Sequence, residues 1–344
     1  MKNQNTYAPH FCVWEITLKC NMNCLHCGSR AGKARDQELS LLEAFHVADE
    51  LIELGCKEIS FIGGEVFLYT GWEKIIRRLT DHNVAANIIT NGFLLGDKQV
   101  EEIIYSGIKN VAISIDGMEA NHNRIRNNPK SFMQIKKTMD RLNAENIPIG
   151  VNTTLLDSNI DDLETLYAFL LDNNVKIWQL QLANPMGNLA NSKGLPISIE
   201  NIKKLPGFIL KKRNENRMNV YTGDNIGYYD ENERSIRGKV GDINYWPGCQ
   251  AGLAVIGIDS IGNIKGCESL YDTSFIEGNV RQESLSDIWN KEGNFAYNRN
   301  FDTSLLSGKC KECDMGQYCR AGCRGACYFT KGKFYENAYC IYNE

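Results

Sequence analysis

The chain has 344 residues, 43% hydrophobic and 23% charged, with 38 Lys and Arg against 42 Asp and Glu for a formal net charge of −4. That balance excludes a disordered chain and offers no basic field for nucleic acid. No apolar run is long enough to span a bilayer, and no apolar segment follows the opening MKNQNTYAPH, so neither a membrane span nor an export signal is expected.

The first β-rich run is residues 13–18 (VWEITL), and the chain leaves it into CNMNCLHC, residues 20–27. Residues 40–54 read as a helix: Ser40 and Glu43 make a capping box, Phe45, Ala48, Leu51 and Ile52 share an apolar face, and Gly55 stops it. Strand 58–62 (EISFI) runs into Gly63-Gly64-Glu65. A helix over 72–82 leads to strand 84–90 and Asn91-Gly92, and a helix over 98–106 leads to strand 110–116, which carries Ser114 and Asp116. The stretch with His122, Arg124 and Arg126 reads as a solvated polar loop, with substrate contact as the alternative. Helix 132–145, strand 147–155, helix 161–173 and strand 175–182 complete the series. Six strands alternating with helices imply an α/β fold on a parallel sheet, open or curled into a barrel, with the chemistry at the C-terminal strand ends.

Residues 186–245, with Pro196, Pro206 and the basic KKRNENR, read as a connecting segment with a solvated helix. The thirteen cysteines avoid this middle region and crowd both ends. In a reducing cytoplasm, where this chain is expected to reside, clustered thiols bind metal or do chemistry rather than pair as disulfides. Cys20, Cys24 and Cys27 form a C-x3-C-x2-C loop that can hold three irons of a [4Fe–4S] cubane and leave the fourth open to a ligand. Zinc is the alternative, with His26 as a fourth ligand. In Gly63-Gly64-Glu65 the glycines let backbone approach a ligand and the carboxylate can pair with an ammonium, although Gly-Gly also serves as a plain turn. Ser114 and Asp116 are equally readable as strand-end turn chemistry. Cys12 and Cys56 stand apart and read as buried packing.

The C-x3-C-x2-C loop after a first strand, GGE after a second and the repeated βα units resemble the radical S-adenosylmethionine (SAM) superfamily. The resemblance implies a partial (β/α)6 TIM-like barrel over residues 1–185. Cys20, Cys24 and Cys27 are then cluster ligands, Gly63, Gly64 and Glu65 meet the methionyl amino group of SAM, and Ser114 and Asp116 approach its ribose.

The pattern Cys249-x12-Gly262-x4-Cys267, Cys310-x2-Cys313-x5-Cys319-x3-Cys323 and Cys340 is similar to the SPASM extension of that superfamily. It implies a small cysteine-rich iron–sulfur domain over residues 246–344 and a total of three [4Fe–4S] clusters. By resemblance Cys310, Cys313, Cys319 and Cys340 close an outer cluster, and Cys249, Cys267 and Cys323 hold an inner one. Sulfatase-maturating members have a further cysteine just before the position of Cys249, where this chain has DINYWPG. The fourth inner ligand is therefore Cys327, an oxygen, or an open site, and Cys327 as a core cysteine is a further reading. Glu268 resembles the acidic general base of those members, or else is a solvent-facing loop carboxylate.

The resemblance implies an oxidoreductase acting on a peptide substrate, by cross-linking, epimerisation or a related oxidation. A flavodoxin- or ferredoxin-type electron donor is expected. With residues 1–12 preceding the first strand, a leader-recognition protein is expected as a separate chain, or else the barrel mouth captures the peptide directly. The alternatives are a tetrapyrrole or quinone cofactor, a sulfatase active-site residue, or a non-catalytic iron–sulfur or zinc protein.

Overall fold

The computed structural model describes residues 7–191, 196–223, 226, 232–237 and 246–342. The six expected strands form as β1 (Phe11–Thr17), β2 (Glu58–Gly63), β3 (Ala85–Thr90), β4 (Asn110–Ser114), β5 (Ile149–Leu155) and β6 (Ile177–Leu182). Each pairs with the next in parallel. Parallel neighbours need a crossover, and α1 (Leu41–Glu53), α2 (Trp72–Asp81), α3 (Asp97–Ser106), α4 (Glu119–Ile125), α5 (Ser131–Ala144) and α6 (Leu163–Asp172) supply them. At the start of α1, Ser40 Oγ accepts from the Glu43 N–H at 3.4 Å and Glu43 Oε2 accepts from the Ser40 N–H at 2.8 Å. These two bonds satisfy two of the helix's orphan donors.

Side chains alternate across the strands, as the pleat requires. On β1, Cys12, Trp14 and Ile16 enter the apolar core, while Phe11, Val13 and Glu15 line the interior. On β6, Trp178 and Leu180 enter the core and Gln179 and Gln181 face inward. Cys12 and Cys56 are both buried in the core.

The sheet is wider than six strands. β7 (Asn219–Thr222) adds to β6, and β8 (Val255–Ile258), β9 (Asn263–Lys265) and β10 (Gly278–Asn279) add on the far side of β1. The order is β10-β9-β8-β1-β2-β3-β4-β5-β6-β7. β8 runs parallel to β1, β9 antiparallel to β8, and β10 antiparallel to β9. Among the described residues the edge strands β7 and β10 do not pair with each other, so the barrel is partial. The cysteine-rich region thus shares the barrel's own sheet.

The stretch expected to be a solvated connecting helix instead packs into the body. α7 (Ile199–Ile202) and α8 (Leu205–Glu215) lead into β7, and α8 buries Leu205, Ile209 and Lys212. Lys212 Nζ lies 2.6 Å from Glu164 Oε2 and 4.3 Å from the centroid of the Tyr167 ring. A basic run normally marks a wet face; here the ring covers the ammonium and the carboxylate pairs it. The remaining helices are α9 (Glu233–Arg237), α10 (Leu285–Asn290), α11 (Ala296–Arg299), α12 (Gly316–Cys319) and α13 (Arg324–Lys331). No helix among the described residues is long and apolar enough to cross a membrane.

Candidate active site

The three-thiol loop leaves β1 and closes on itself: Cys20 N–H donates to Gly32 O at 2.9 Å and Gly32 N–H to Leu18 O at 3.1 Å. Its sulfurs collect donors. Met22 N–H points to Cys20 Sγ at 3.4 Å, Ala31 N–H to Cys27 Sγ at 3.3 Å, Asn91 Nδ2 to Cys20 Sγ at 4.0 Å and Arg126 Nη1 to Cys24 Sγ at 3.8 Å. Burial pushes the Cys20 thiol up to about 11. A thiol so buried ionises when a metal takes its place beside the sulfur, and N–H donors then stabilise the thiolate. This donor set fits an iron–sulfur cluster. His26, which a four-ligand zinc site would use, instead has Nε2 hydrogen-bonded to Asp116 Oδ2 at 3.0 Å.

Gly63 and Gly64 sit where the end of β2 passes the end of β1. Gly64 N–H donates to Thr17 O at 2.7 Å and Glu65 N–H to Lys19 O at 2.8 Å. A Cβ on Gly64 would run into Lys19 O, so the glycines bring two backbones together as much as they face a ligand. Gly63 does line the cavity described below. Glu65 does not: it is fully buried and accepts from the Thr90 hydroxyl at 2.8 Å and the Asn91 N–H at 2.9 Å. Burial pushes its carboxyl up to about 7 against those bonds. Glu65, expected to meet an ammonium, uses its oxygens in this structure to anchor the β3 loop.

Ser114 and Asp116 part company in the same way. Ser114 faces the cavity. Asp116 is fully buried and absent from the lining; it holds His26, lies 2.7 Å from Arg126 Nε and accepts from the Thr154 N–H at 3.0 Å. Burial opposes its charge, yet Arg126 and His26 hold its carboxyl well below the usual range. Asp116, expected to approach the ribose, anchors His26 and Arg126 in this structure, and both of these line the cavity. The solvated-loop reading of residues 122–126 also fails for two of its three residues. His122 is buried, its Nδ1 accepting from the Asp116 N–H at 3.1 Å and its Nε2 bonded to Ser131 Oγ at 2.9 Å. Burial and Arg126 push it down to about 3, so it stays neutral with its proton on Nε2. Arg124 remains exposed.

The interior of the curled sheet is a cavity of about 490 Å3. Ser60, Ser114, Asn152, Thr154, Gln179 and Gln181 give it a neutral polar lining, and Cys267, Glu268 and Tyr271 reach it from the cysteine-rich region. Sequence reading passed over most of these polar positions. Their signal was present: polar residues at alternate positions of otherwise apolar strands, and Glu15 in the middle of VWEIT. Glu268 is buried, not a solvent-facing loop carboxylate, and accepts from Lys265 Nζ at 3.1 Å. Burial pushes its carboxyl up, and Lys265 pulls it down.

The other thiols fall into two groups. Cys310, Cys313, Cys319 and Cys340 line one hollow, where burial pushes Cys319 up to about 12 and Cys340 to about 11. Cys249, Cys267 and Cys323 are near enough to act on one another's charge, and Cys267 also borders the cavity. Cys327 is fully buried, donates to Ala321 O at 3.1 Å and packs with Leu306. Among the described residues no three His, Cys, Asp or Glu groups close around a point suited to a single ion. Residues 242–245 of DINYWPG lie outside the described residues.

With Cys27 and Cys267, one from each of two thiol groups, lining the same polar cavity, fold and thiols together define an iron–sulfur enzyme. Family comparison agrees: residues 14–170 match the radical SAM superfamily and residues 249–314 match SPASM, an iron–sulfur cluster-binding domain. The chain belongs to the radical SAM superfamily and carries the SPASM region. It is 26% identical to an AdoMet-dependent heme synthase of Methanosarcina barkeri over 98% of this chain and 97% of that protein. It is 25% identical to the mycofactocin maturase MftC of Mycolicibacterium smegmatis over 94% of this chain and 80% of that one. The fold matches Streptococcus suis SuiB bound to S-adenosylmethionine with a TM-score of 0.77, at 15% identity over 97% of this chain and 78% of SuiB.

Proposed function

We propose that this enzyme abstracts hydrogen from a peptide substrate and so matures a ribosomally made peptide, through a cross-link, an epimerised centre or a related oxidation. The observation that supports a peptide is the charge of the cavity. Among its described lining residues Arg126 is the one guanidinium or ammonium group, and Asp116 already neutralises it, while Glu15 and Glu268 face the same space. Such a lining suits a neutral or cationic substrate and disfavours a polycarboxylate.

Cys20, Cys24 and Cys27 would hold the SAM-binding cluster, and the wall of Gly63, Ser114, His26 and Arg126 would hold SAM. Glu65 and Asp116 act behind that wall. Cys249, Cys267 and Cys323 would hold an inner auxiliary cluster and Cys310, Cys313, Cys319 and Cys340 an outer one, three [4Fe–4S] clusters in all. When bound, these groups supply a 5′-deoxyadenosyl radical that takes a hydrogen atom from a C–H bond, and an electron sink beside the same cavity. Glu268 takes up the proton that leaves in an oxidative outcome. A flavodoxin- or ferredoxin-type protein would deliver electrons, and a separate protein could present the peptide's leader.

The test is anaerobic reconstitution followed by incubation with short peptides encoded beside the gene. About twelve irons per chain are expected from three clusters. A peptide that loses two hydrogens, or gains deuterium from heavy water at constant composition, supports the reading; an unchanged peptide set overturns it. A second reading, modification of a tetrapyrrole, draws on the end-to-end match with the heme synthase of Methanosarcina barkeri. A carboxylated porphyrin consumed in the same assay would favour it.

A further inference from the structure

Arg324, directly after Cys323 at the start of α13, is fully buried. Its guanidinium is held by backbone carbonyls: Nη1 donates to Arg320 O at 2.6 Å, to Phe334 O at 3.2 Å and to Gly322 O at 3.4 Å, and Nε donates to Tyr297 O at 3.2 Å. The rings of Tyr335 and Phe301 flank it, their centroids 4.7 and 5.8 Å from Cζ. Among the described residues Nη2 has no hydrogen-bond partner and no carboxylate pairs with the group.

Carbonyl dipoles solvate a guanidinium without giving it a counter-charge, and a buried cation left so is costly. Buried cations elsewhere in the chain are answered: Arg126 has Asp116 at 2.7 Å and Lys212 has Glu164 at 2.6 Å. What surrounds Arg324 instead is thiols. The turn it closes runs from Cys319 of one thiol group to Cys323 of the other, and it is wound left-handed, with φ of 53° at Arg320, 63° at Ala321 and 78° at Gly322. Arg and Ala adopt that conformation at a cost; here it aims the carbonyls of Arg320 and Gly322 at the guanidinium and that of Ala321 at the Cys327 thiol. Cys327 in turn lies within electrostatic reach of Arg324, of Cys310 and Cys319, and of Cys249. One permanent positive charge therefore sits beside both C-terminal thiol groups.

We propose that Arg324 sets the reduction potential of the auxiliary clusters, its fixed charge favouring their reduced form and so making them acceptors for an electron leaving the cavity. This rests on the three-cluster reading given above. A cluster held by thiolates carries net negative charge and gains one more on reduction, so a nearby cation stabilises the reduced state more than the oxidised one. The step is a one-electron transfer: the substrate radical loses an electron, a cluster gains it, the accompanying proton goes to Glu268, and no bond forms or breaks at the iron. Arg324 touches neither substrate nor SAM and acts through the clusters alone.

The experiment is an anaerobic redox titration of the reconstituted full chain, followed by electron paramagnetic resonance, with iron counted per chain. SAM, added in a parallel titration, marks the signal of the first cluster apart from the others. Arg324→Met is expected to cut the reduced-to-oxidised ratio of the auxiliary clusters at a fixed potential at least about tenfold, which is about 59 mV for one electron. Arg324→Lys keeps the charge and should keep the wild-type ratio. Arg324→citrulline covers the case in which the methionine variant loses its iron: the ureido group retains Nε–H and one NH2 for the carbonyls, places oxygen where Nη2 has no partner, and removes only the charge. It enters on a synthetic peptide of residues 323–344 ligated to residues 1–322 at Cys323, and should shift the ratio as methionine does. An unshifted ratio at full iron, or a shift with lysine as large as with methionine, overturns the proposal. Loss of iron from the citrulline protein also overturns it, since the charge would then hold the clusters rather than set their potential. About four irons in the wild type would end the three-cluster reading and the proposal together, whereas about twelve with an unshifted ratio ends the proposal alone.

Discussion

Arg126 Nε lies 2.7 Å from Asp116 Oδ2, and the same guanidinium reaches Cys24 Sγ through Nη1 at 3.8 Å. A buried carboxylate thus fixes a permanent positive charge against a thiol of the first-strand loop. Asp116→Asn would leave that charge buried without its counter-ion, a loss of roughly 3–5 kcal/mol. Urea unfolding of the reconstituted protein measures it. A change below about 1 kcal/mol would show that Arg126 has another partner.

Glu65 gives the chain a pH dependence near neutrality. Its carboxyl is pushed from 4.5 to about 7 by burial, so the folded state keeps a proton that the unfolded state releases. The resulting stabilisation is full below about pH 4.5 and is lost as pH rises through about 7, on the order of 3 kcal/mol across the window. Glu65→Gln should flatten that slope. An unchanged slope of denaturation midpoint against pH would assign it to another group.

Gly64→Ala should strip iron from one site selectively. Its Cβ would meet Lys19 O at the root of the three-thiol loop, and backbone cannot yield as a side-chain tip can. Iron is expected to fall by about four per chain, with the C-terminal clusters retained. Full iron content and unimpaired SAM cleavage would show that the two backbones can part.

Cys327→Ala separates a ligand from a packing residue. With its thiol donating to Ala321 O among apolar neighbours, the variant should keep its iron and lose roughly 1–2 kcal/mol of stability. Loss of iron would make Cys327 the fourth inner ligand.

Glu268→Gln should slow peptide modification at least about tenfold while SAM cleavage changes less, the mark of a lost proton acceptor. Parallel slowing of both would place Glu268 outside the chemistry.

The strands, the crossovers and the α1 capping box were legible in the sequence because each is set by neighbours in the chain. Thiol spacing was legible for the same reason. What escaped is set by tertiary contact. Asp116 and Glu65 sit in motifs that read as ligand-facing, but whether a carboxylate points into a cavity or behind its wall depends on Arg126 and on the Asn91 N–H, neither of which the local pattern reveals. Lys212 read as solvated because Tyr167 and Glu164 lie far away in sequence. β8 was missed because four residues, Val255–Ile258, count as a strand only once β1 is beside them.

That pairing also governs how the molecule can be made. Phe11 on β1 is matched with Val255 on β8, so during synthesis β1 keeps one bare edge until β8 is made. An exposed parallel edge is slow to satisfy and open to wrong partners. A gene cut before β8 is therefore expected to leave the edge of β1 unpaired and to yield aggregate rather than a smaller enzyme.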